Sequence, residues 1–214
     1  MEMDRRLFLG AGMAALAALP SQAQVAPPED FQKYYAGEAQ DGSVTFPTTN
    51  MEAIDPKWRR QLVKYRHNEP PGSIVVDTRN NFLYVTFENN TALRYGVGVG
   101  REGFQWSGRA QIGRKARWPG WTPPPEMLDR RPDLPKFMEG GADNPLGARA
   151  LYLYKNGRDT IYRIHGTNEP WSIGSHSSSG CIRMLNEDVI DLFRRVPVGT
   201  RALVLEHLGQ QLPG

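Results

Sequence analysis

The sequence predicts a mainly β domain with a few short helices. Three observations carry that prediction. Short runs rich in β-branched and aromatic residues alternate with Asn-containing turns from residue 73 onward. Only two segments carry helix end signals. The 214 residues suffice for one well-buried core with extensions, and neither internal repeats nor low-complexity tracts suggest a solenoid or a second folded domain.

Taken in order, residues 1–23 read as an export signal. Arg5 and Arg6 precede the apolar run 7–19, and Ser21-Gln22-Ala23 offers small residues for cleavage. Arg5-Arg6-Leu7-Phe8-Leu9 has the look of a twin-arginine signal, and the apolar run is too short for a stable membrane span. Delivery to the periplasm or cell envelope is therefore expected. Residues 24–72 are expected to be an N-terminal arm. The part up to about residue 50 is polar and Pro/Gly-rich without either hydrophobic period, so it reads as a tether or a loosely packed arm; Asp55-Pro56 opens a short helix running to about Tyr65, with Trp58 and Leu62 four apart.

Strands are expected at 74–76, 82–87 and 93–99, separated by Asn80-Asn81 and Asn89-Asn90. Residues 151–154 and 160–165 flank Asn156-Gly157 as a further hairpin with a loop longer than two residues, which leaves His165 at a strand end. Asn186 caps a helix over 187–195, with acids in its first turn and Arg194-Arg195 in its last, as the helix dipole favours. Residues 202–205 form a last strand and 207–214 a tail. Between Gly100 and Gly147 no period is evident; Trp106, Trp118, Trp121 and many prolines suit either a wall over a cleft or a loop packed on its own domain.

Charge narrows the partners. Lys and Arg number 26 against 23 Asp and Glu, and no run of five like charges occurs, so no nucleic-acid footprint is indicated. The single cysteine, Cys181, cannot form an internal disulfide. In an exported protein a free thiol is an oxidation liability, which favours a reactive role over an inert buried one. A thiol needs a base or cation nearby and a turn that aims amide N–H groups at developing charge. Ser178, Ser179 and Gly180 let the chain turn tightly before Cys181, and the N–H groups of Ser179, Gly180 and Cys181 are candidates for an oxyanion hole.

The segment His165-Gly166-Thr167-Asn168, then Ser172-Ile173-Gly174, then Ser178-Ser179-Gly180-Cys181-Ile182-Arg183-Met184 resembles the signature of the L,D-transpeptidase (YkuD-type) catalytic domain of bacterial cell-wall enzymes. The resemblance extends over about 73–206 and includes Asp77-Thr78 and Asn144-Pro145-Leu146-Gly147. It departs at one place: Ser179 stands where the family usually has a second histidine. The resemblance implies a β-sandwich-like fold, Cys181 as nucleophile, His165 as general base, and the Gly166 backbone carbonyl holding the other ring nitrogen. It implies substrate contacts from Arg183, with a purely structural salt bridge as the alternative, and from the cleft-wall candidates Thr167, Ser172 and Ser178. The implied reaction is attack on a peptidoglycan stem tetrapeptide, loss of terminal D-Ala and a Cys thioester, resolved by a stem amine (a 3→3 cross-link), by an envelope protein, or by water. No cofactor is implied. Three rival readings stand beside it: a sortase-like or papain-like cysteine peptidase, disfavoured by the close His165 to Cys181 spacing and the His-Gly-Thr context; zinc bound by His165, His176 and Cys181, whose spacing fits no usual pattern; and a wall-binding module that has lost catalysis. His176 lies three residues before Ser179 and reads either as a shifted second histidine or as a solvated loop residue.

Overall fold

The computed structural model describes residues 27–100, 106–178 and 180–205. The expected export signal, the C-terminal tail and Ser179 lie outside the described residues. β1 (Tyr35–Asp41) and β2 (Val44–Thr49) form an antiparallel hairpin. β3 (Gln61–Lys64), β4 (Ile74–Asp77), β5 (Phe82–Phe87) and β6 (Thr91–Gly96) follow, then the short β7 (Val99–Gly100) and the long β8 (Gly108–Arg117). After helix α1 (Pro125–Arg130) come β9 (Arg149–Lys155), β10 (Arg158–His165), β11 (His176–Ser178) and β12 (Ile182–Arg183). Helix α2 (Asn186–Arg195) and β13 (Arg201–Val204) complete the described chain.

Among the described residues, nine strands make one sheet in the order β12-β10-β9-β8-β13-β4-β5-β6-β3. Side chains from both ends of that order, Ile74 and Leu83 on one side and Leu151 and Ile164 on the other, share one buried cluster with Val189 and Leu192 of α2. The sheet therefore curls until its halves face each other, the mainly β, sandwich-like arrangement that the strand pattern and the resemblance predict. Main-chain bonds between Gly98 and Arg183, 2.9 and 2.8 Å long, join the continuation of β6 to β12 and tie the two ends together.

The expectation of a tether before residue 50 is corrected. From residue 27 the chain packs down: Phe46 lies against Trp118, Thr49 is bonded through its N–H and hydroxyl to the Glu187 carboxylate, and Asp41 accepts from Arg149, Arg117 and Trp118. The segment lacks hydrophobic period because distant polar partners hold it. The helix expected to reach Tyr65 is a single 3-10 turn, Pro56–Trp58, followed by β3; Asp55 does cap it, accepting from the Lys57 N–H. Trp58 packs on Phe82 whereas Leu62 is 67% exposed on the edge strand, so their spacing of four marks no shared helix face.

Three further expectations change. β8 runs through the stretch read as aperiodic, and only Ile112 is fully buried in it. Its charged residues are paired across the fold: Arg109 with Glu69, Lys115 with the Phe193 and Val196 carbonyls at the end of α2, and Arg117 with Asp41. The β9–β10 hairpin turns on Asn156 and Gly157 alone, since Lys155 pairs with Arg158 and both turn residues have positive φ, 52° and 76°. Asn186 does not cap α2. Leu185 occupies that position, and the Asn186 side chain accepts from the Ala148 N–H instead, pressed so close to Gly147 and Gly166 that a Cβ on either would collide with it.

Candidate active site

β10 and β12 run parallel with Ile164 opposite Ile182 and His165 opposite Arg183, and the Met184 N–H donates to the His165 carbonyl at 2.8 Å. Ile164 and Ile182 point into the core at 0% and 3% exposure. Burying such a side chain contributes about 1.5–3 kcal/mol. A one-residue slip would turn both outward, so the pair fixes the register. Alternation along the strands then puts Arg163 and His165 of β10 and Arg183 of β12 on the other face, with Cys181 directly before β12.

The turn before Cys181 depends on glycine. Gly180 has φ 116°, a conformation that side chains disfavour. The Ser178 hydroxyl donates to the Cys181 carbonyl at 2.5 Å and accepts from the Gly180 N–H at 3.2 Å. That hydroxyl shapes the turn, and the Gly180 N–H, an expected oxyanion donor, is directed to it. Of the other expected donors, Cys181 remains at the turn and Ser179 lies outside the described residues.

His165 is buried, with Nδ1 2.6 Å from the Gly166 carbonyl. A carbonyl only accepts, so Nδ1 carries the hydrogen and Nε2 is left with its lone pair. Burial, with the Arg183 and then the Arg163 charge adding to it, lowers the imidazole pKa to about 3, against an upward pull from the Gly166 carbonyl. Burial also pushes the Cys181 thiol up, opposed by the Arg163 charge, an Arg163 backbone hydrogen bond and the Arg183 charge. Burial thus favours the neutral form of both the thiol and the imidazole.

The Arg183 guanidinium donates to Glu169 at 2.8 Å, both side chains being mostly buried, so its carboxylate partner comes from this chain. Thr167 is buried and its hydroxyl accepts from the Glu169 N–H; Ser172 is wholly buried and donates to the Glu169 carbonyl. Both lie at the 3-10 turn Pro170–Ser172 and the loop before it, where the expected cleft-wall contacts Thr167 and Ser172 hold the Glu169 backbone. His176 is exposed on β11, its Nε2 3.0 Å from the Thr78 carbonyl. Among the described residues no three His, Cys, Asp or Glu side chains converge as metal ligands.

Three contributors escaped the sequence reading. Arg163 precedes His165 by two in β10, a period that could have exposed it. Glu169 sits inside the motif but reads as an ordinary turn residue. Tyr162, whose phenol is shifted up by burial and then by the charge of Cys181, stacks on Trp106 with ring centroids 5.9 Å apart. Trp118 and Trp121 instead pack onto the domain, through Phe46 and through main-chain pairing with Met138.

Fold and site together define a β-sandwich-like domain presenting one cysteine and one buried histidine from paired strands. The sequence profile of the YkuD family, the L,D-transpeptidase catalytic domain, matches residues 71–204, and the chain belongs to that family. It is 38% identical over 144 residues to a putative L,D-transpeptidase, YqjB, of Bacillus subtilis, covering 65% of this chain and 75% of that protein. It is 37% identical over 143 residues to a probable L,D-transpeptidase, ErfK/SrfK, of Escherichia coli, covering 63% of this chain and 44% of that protein, so the chain spans less than half of that relative's length. A crystal structure from Brucella melitensis, described as a probable carnitine operon oxidoreductase, is 48% identical and covers 73% of this chain and 99% of its own, with a TM-score of 0.48. A likeness of that TM-score decides nothing about the chemistry of this chain.

Proposed function

We propose that the protein is a cysteine L,D-transpeptidase that acts on peptidoglycan stem tetrapeptides. The observation supporting this most is His165: buried, held through Nδ1 by the Gly166 carbonyl, and paired with Arg183 of the short strand that directly follows Cys181. The Cys181 thiol gives its proton to His165 Nε2 as the sulfur attacks the carbonyl of the third stem residue. The tetrahedral oxyanion meets the turn before the nucleophile, where the N–H groups of Ser179, Gly180 and Cys181 are the donors of this proposal. Collapse breaks the amide, and the leaving D-Ala amine takes the proton back from His165, leaving a thioester. An acceptor amine then attacks the thioester, His165 removes its extra proton, and the thiol is restored as the new amide forms.

A stem amine as acceptor gives a 3→3 cross-link, the leading outcome; an envelope protein amine gives wall attachment, and water gives L,D-carboxypeptidase activity. The twin-arginine-like segment 1–23 supports export to the periplasm or envelope. Among the described residues no helix is long and apolar enough to cross a membrane. Incubation of the purified protein with tetrapeptide muropeptides tests the reading. Cross-linked dimers with released D-Ala are expected, and Cys181→Ala abolishes both. Tripeptide alone would reassign the protein to trimming, and unreleased D-Ala would overturn the proposal in favour of a wall-binding module.

A further inference from the structure

A row of three side chains crosses the face of β8, β9 and β10 that turns away from the core. Arg114 of β8 stands in register with Tyr152 of β9, and Tyr152 with Arg163 of β10. The same strands send Leu151, Leu153 and Ile164 into the core, so alternation puts the row on the opposite face. Both guanidinium groups lie over the one tyrosine ring, that of Arg114 3.6 Å and that of Arg163 5.2 Å from its centroid.

The row is short of negative charge. A ring face attracts each cation but brings no net charge to offset the repulsion between them. Asp159, on the same face, accepts from the Ile161 N–H at 2.8 Å, and neither Arg114 nor Arg163 has a carboxylate partner among the described residues. Other arginines of this sheet do have one: Arg109 holds Glu69, Arg117 and Arg149 hold Asp41, and Arg183, the arginine expected to meet substrate, holds Glu169. The Nε of Arg163 is also buried without a hydrogen-bond partner, so part of its hydration is lost with no anion in return.

The row begins beside the nucleophile. β10 and β12 run parallel with Ile164 opposite Ile182, and the same register continued one residue back sets Cys181 next to Arg163. A hydrogen bond between the Arg163 main chain and the Cys181 thiol agrees with that placement. His165 follows two residues along the same face of β10, about 6–7 Å away at the rise of a strand.

We propose that Arg163, supported by Arg114 across Tyr152, binds the free C-terminal carboxylate of the acyl donor. The proposal rests on the acyl-transfer reading and deepens it by naming what the chain recognises on the donor. A guanidinium fork matches a carboxylate bidentately. In an extended peptide the residue after the scissile amide ends at most about 3.6 Å further on, so a donor whose carbonyl meets Cys181 brings its terminal carboxylate within reach of an arginine rooted beside that cysteine.

Titration of the Cys181→Ser chain, which forms no thioester, with the stem tetrapeptide and with its C-terminal amide tests the assignment through backbone amide NMR shifts. The two peptides differ only in the terminal charge. The acid should bind at least about tenfold more tightly than the amide, the scale of hydrogen bonds to a charged group. Arg163→Gln should remove that preference while the affinity for the amide stays within about twofold, and Arg114→Gln should remove a smaller part of it. Equal affinities for acid and amide, a preference that survives Arg163→Gln, a parallel loss of both affinities in that variant, or no saturation by either peptide would each overturn the proposal. Failure of the acyl-transfer reading would show separately, as a wild-type Cys181 that forms no acyl adduct with the tetrapeptide while the preference for the acid persists.

Discussion

The β1–β2 hairpin and the β10–β12 wall are both indispensable parts of the site's surroundings, yet different forces hold them. The wall is fixed by main-chain pairing and by Ile164 and Ile182 in the core, so its register does not depend on the side chains of His165, Cys181 or Arg183. Among the described residues the hairpin makes no main-chain ladder with the nine-stranded sheet; it hangs on side-chain anchors, chiefly Asp41 with Arg149, Thr49 with Glu187, and the rings of Phe31, Tyr34 and Tyr35 around Trp171. Chemistry can therefore be altered in the wall without moving the chain, whereas a single substitution can loosen the hairpin.

The largest effect should come from Asp41→Ala. Arg149 is 4% exposed on its side chain, and stripping the partner from a buried ion pair costs about 3–5 kcal/mol. Denaturant unfolding should show that loss, with proteolysis opening the hairpin first; a loss below 1 kcal/mol would mean that the aromatic cluster alone holds it.

In the wall, His165→Ala should lower the acylation rate of Cys181 about 100-fold or more, the scale of a lost general base, equal to roughly 2.7 kcal/mol of barrier. Far-ultraviolet circular dichroism should keep its strand signal. His176→Ala should change the rate less than threefold or so, because its ring is directed to the Thr78 carbonyl. Equal damage from both substitutions would give His176 a catalytic place.

A smaller effect separates the two regions by pH. Folded Asp41 is held at about 2, first by the Arg149 hydrogen bond, whereas an unfolded aspartate titrates near 3.8. On acidification the unfolded chain therefore takes up the proton first, so the Asp41 contribution is complete above about pH 4 and is lost as pH falls through about 2. The difference in unfolding free energy between wild type and Asp41→Asn should be constant above that window and shrink within it. His165 behaves differently. Its lowered pKa, set by burial and by Arg183 and Arg163, keeps the base neutral through the ordinary histidine range, so acylation should show no acid limb near pH 6.5. An inflection there would place the ring in an open, solvated site.

The same contrast explains what could be read in the sequence. The wall was legible because its signals are local: β-rich runs, the Asn156-Gly157 turn, and the closely spaced His165, Cys181 and Arg183. The hairpin was not, because Asp41 finds Arg149 across 108 positions and Thr49 finds Glu187 across 138, and neither contact leaves a period. β8 was hidden for a related reason, its arginines and Lys115 being satisfied by Glu69, Asp41 and the end of α2 in place of an apolar stripe. Asn186 shows the limit of local rules: its type fits a helix cap, but the Ala148 N–H, 38 positions away, claims the side chain.

The central claim is that Cys181 is the acyl-accepting nucleophile, and intact-mass measurement after exposure to a carbapenem tests it most directly. Wild-type protein should gain the mass of one carbapenem acyl group and Cys181→Ser should gain none. An unmodified wild type, or an adduct that persists in Cys181→Ser, would contradict the account.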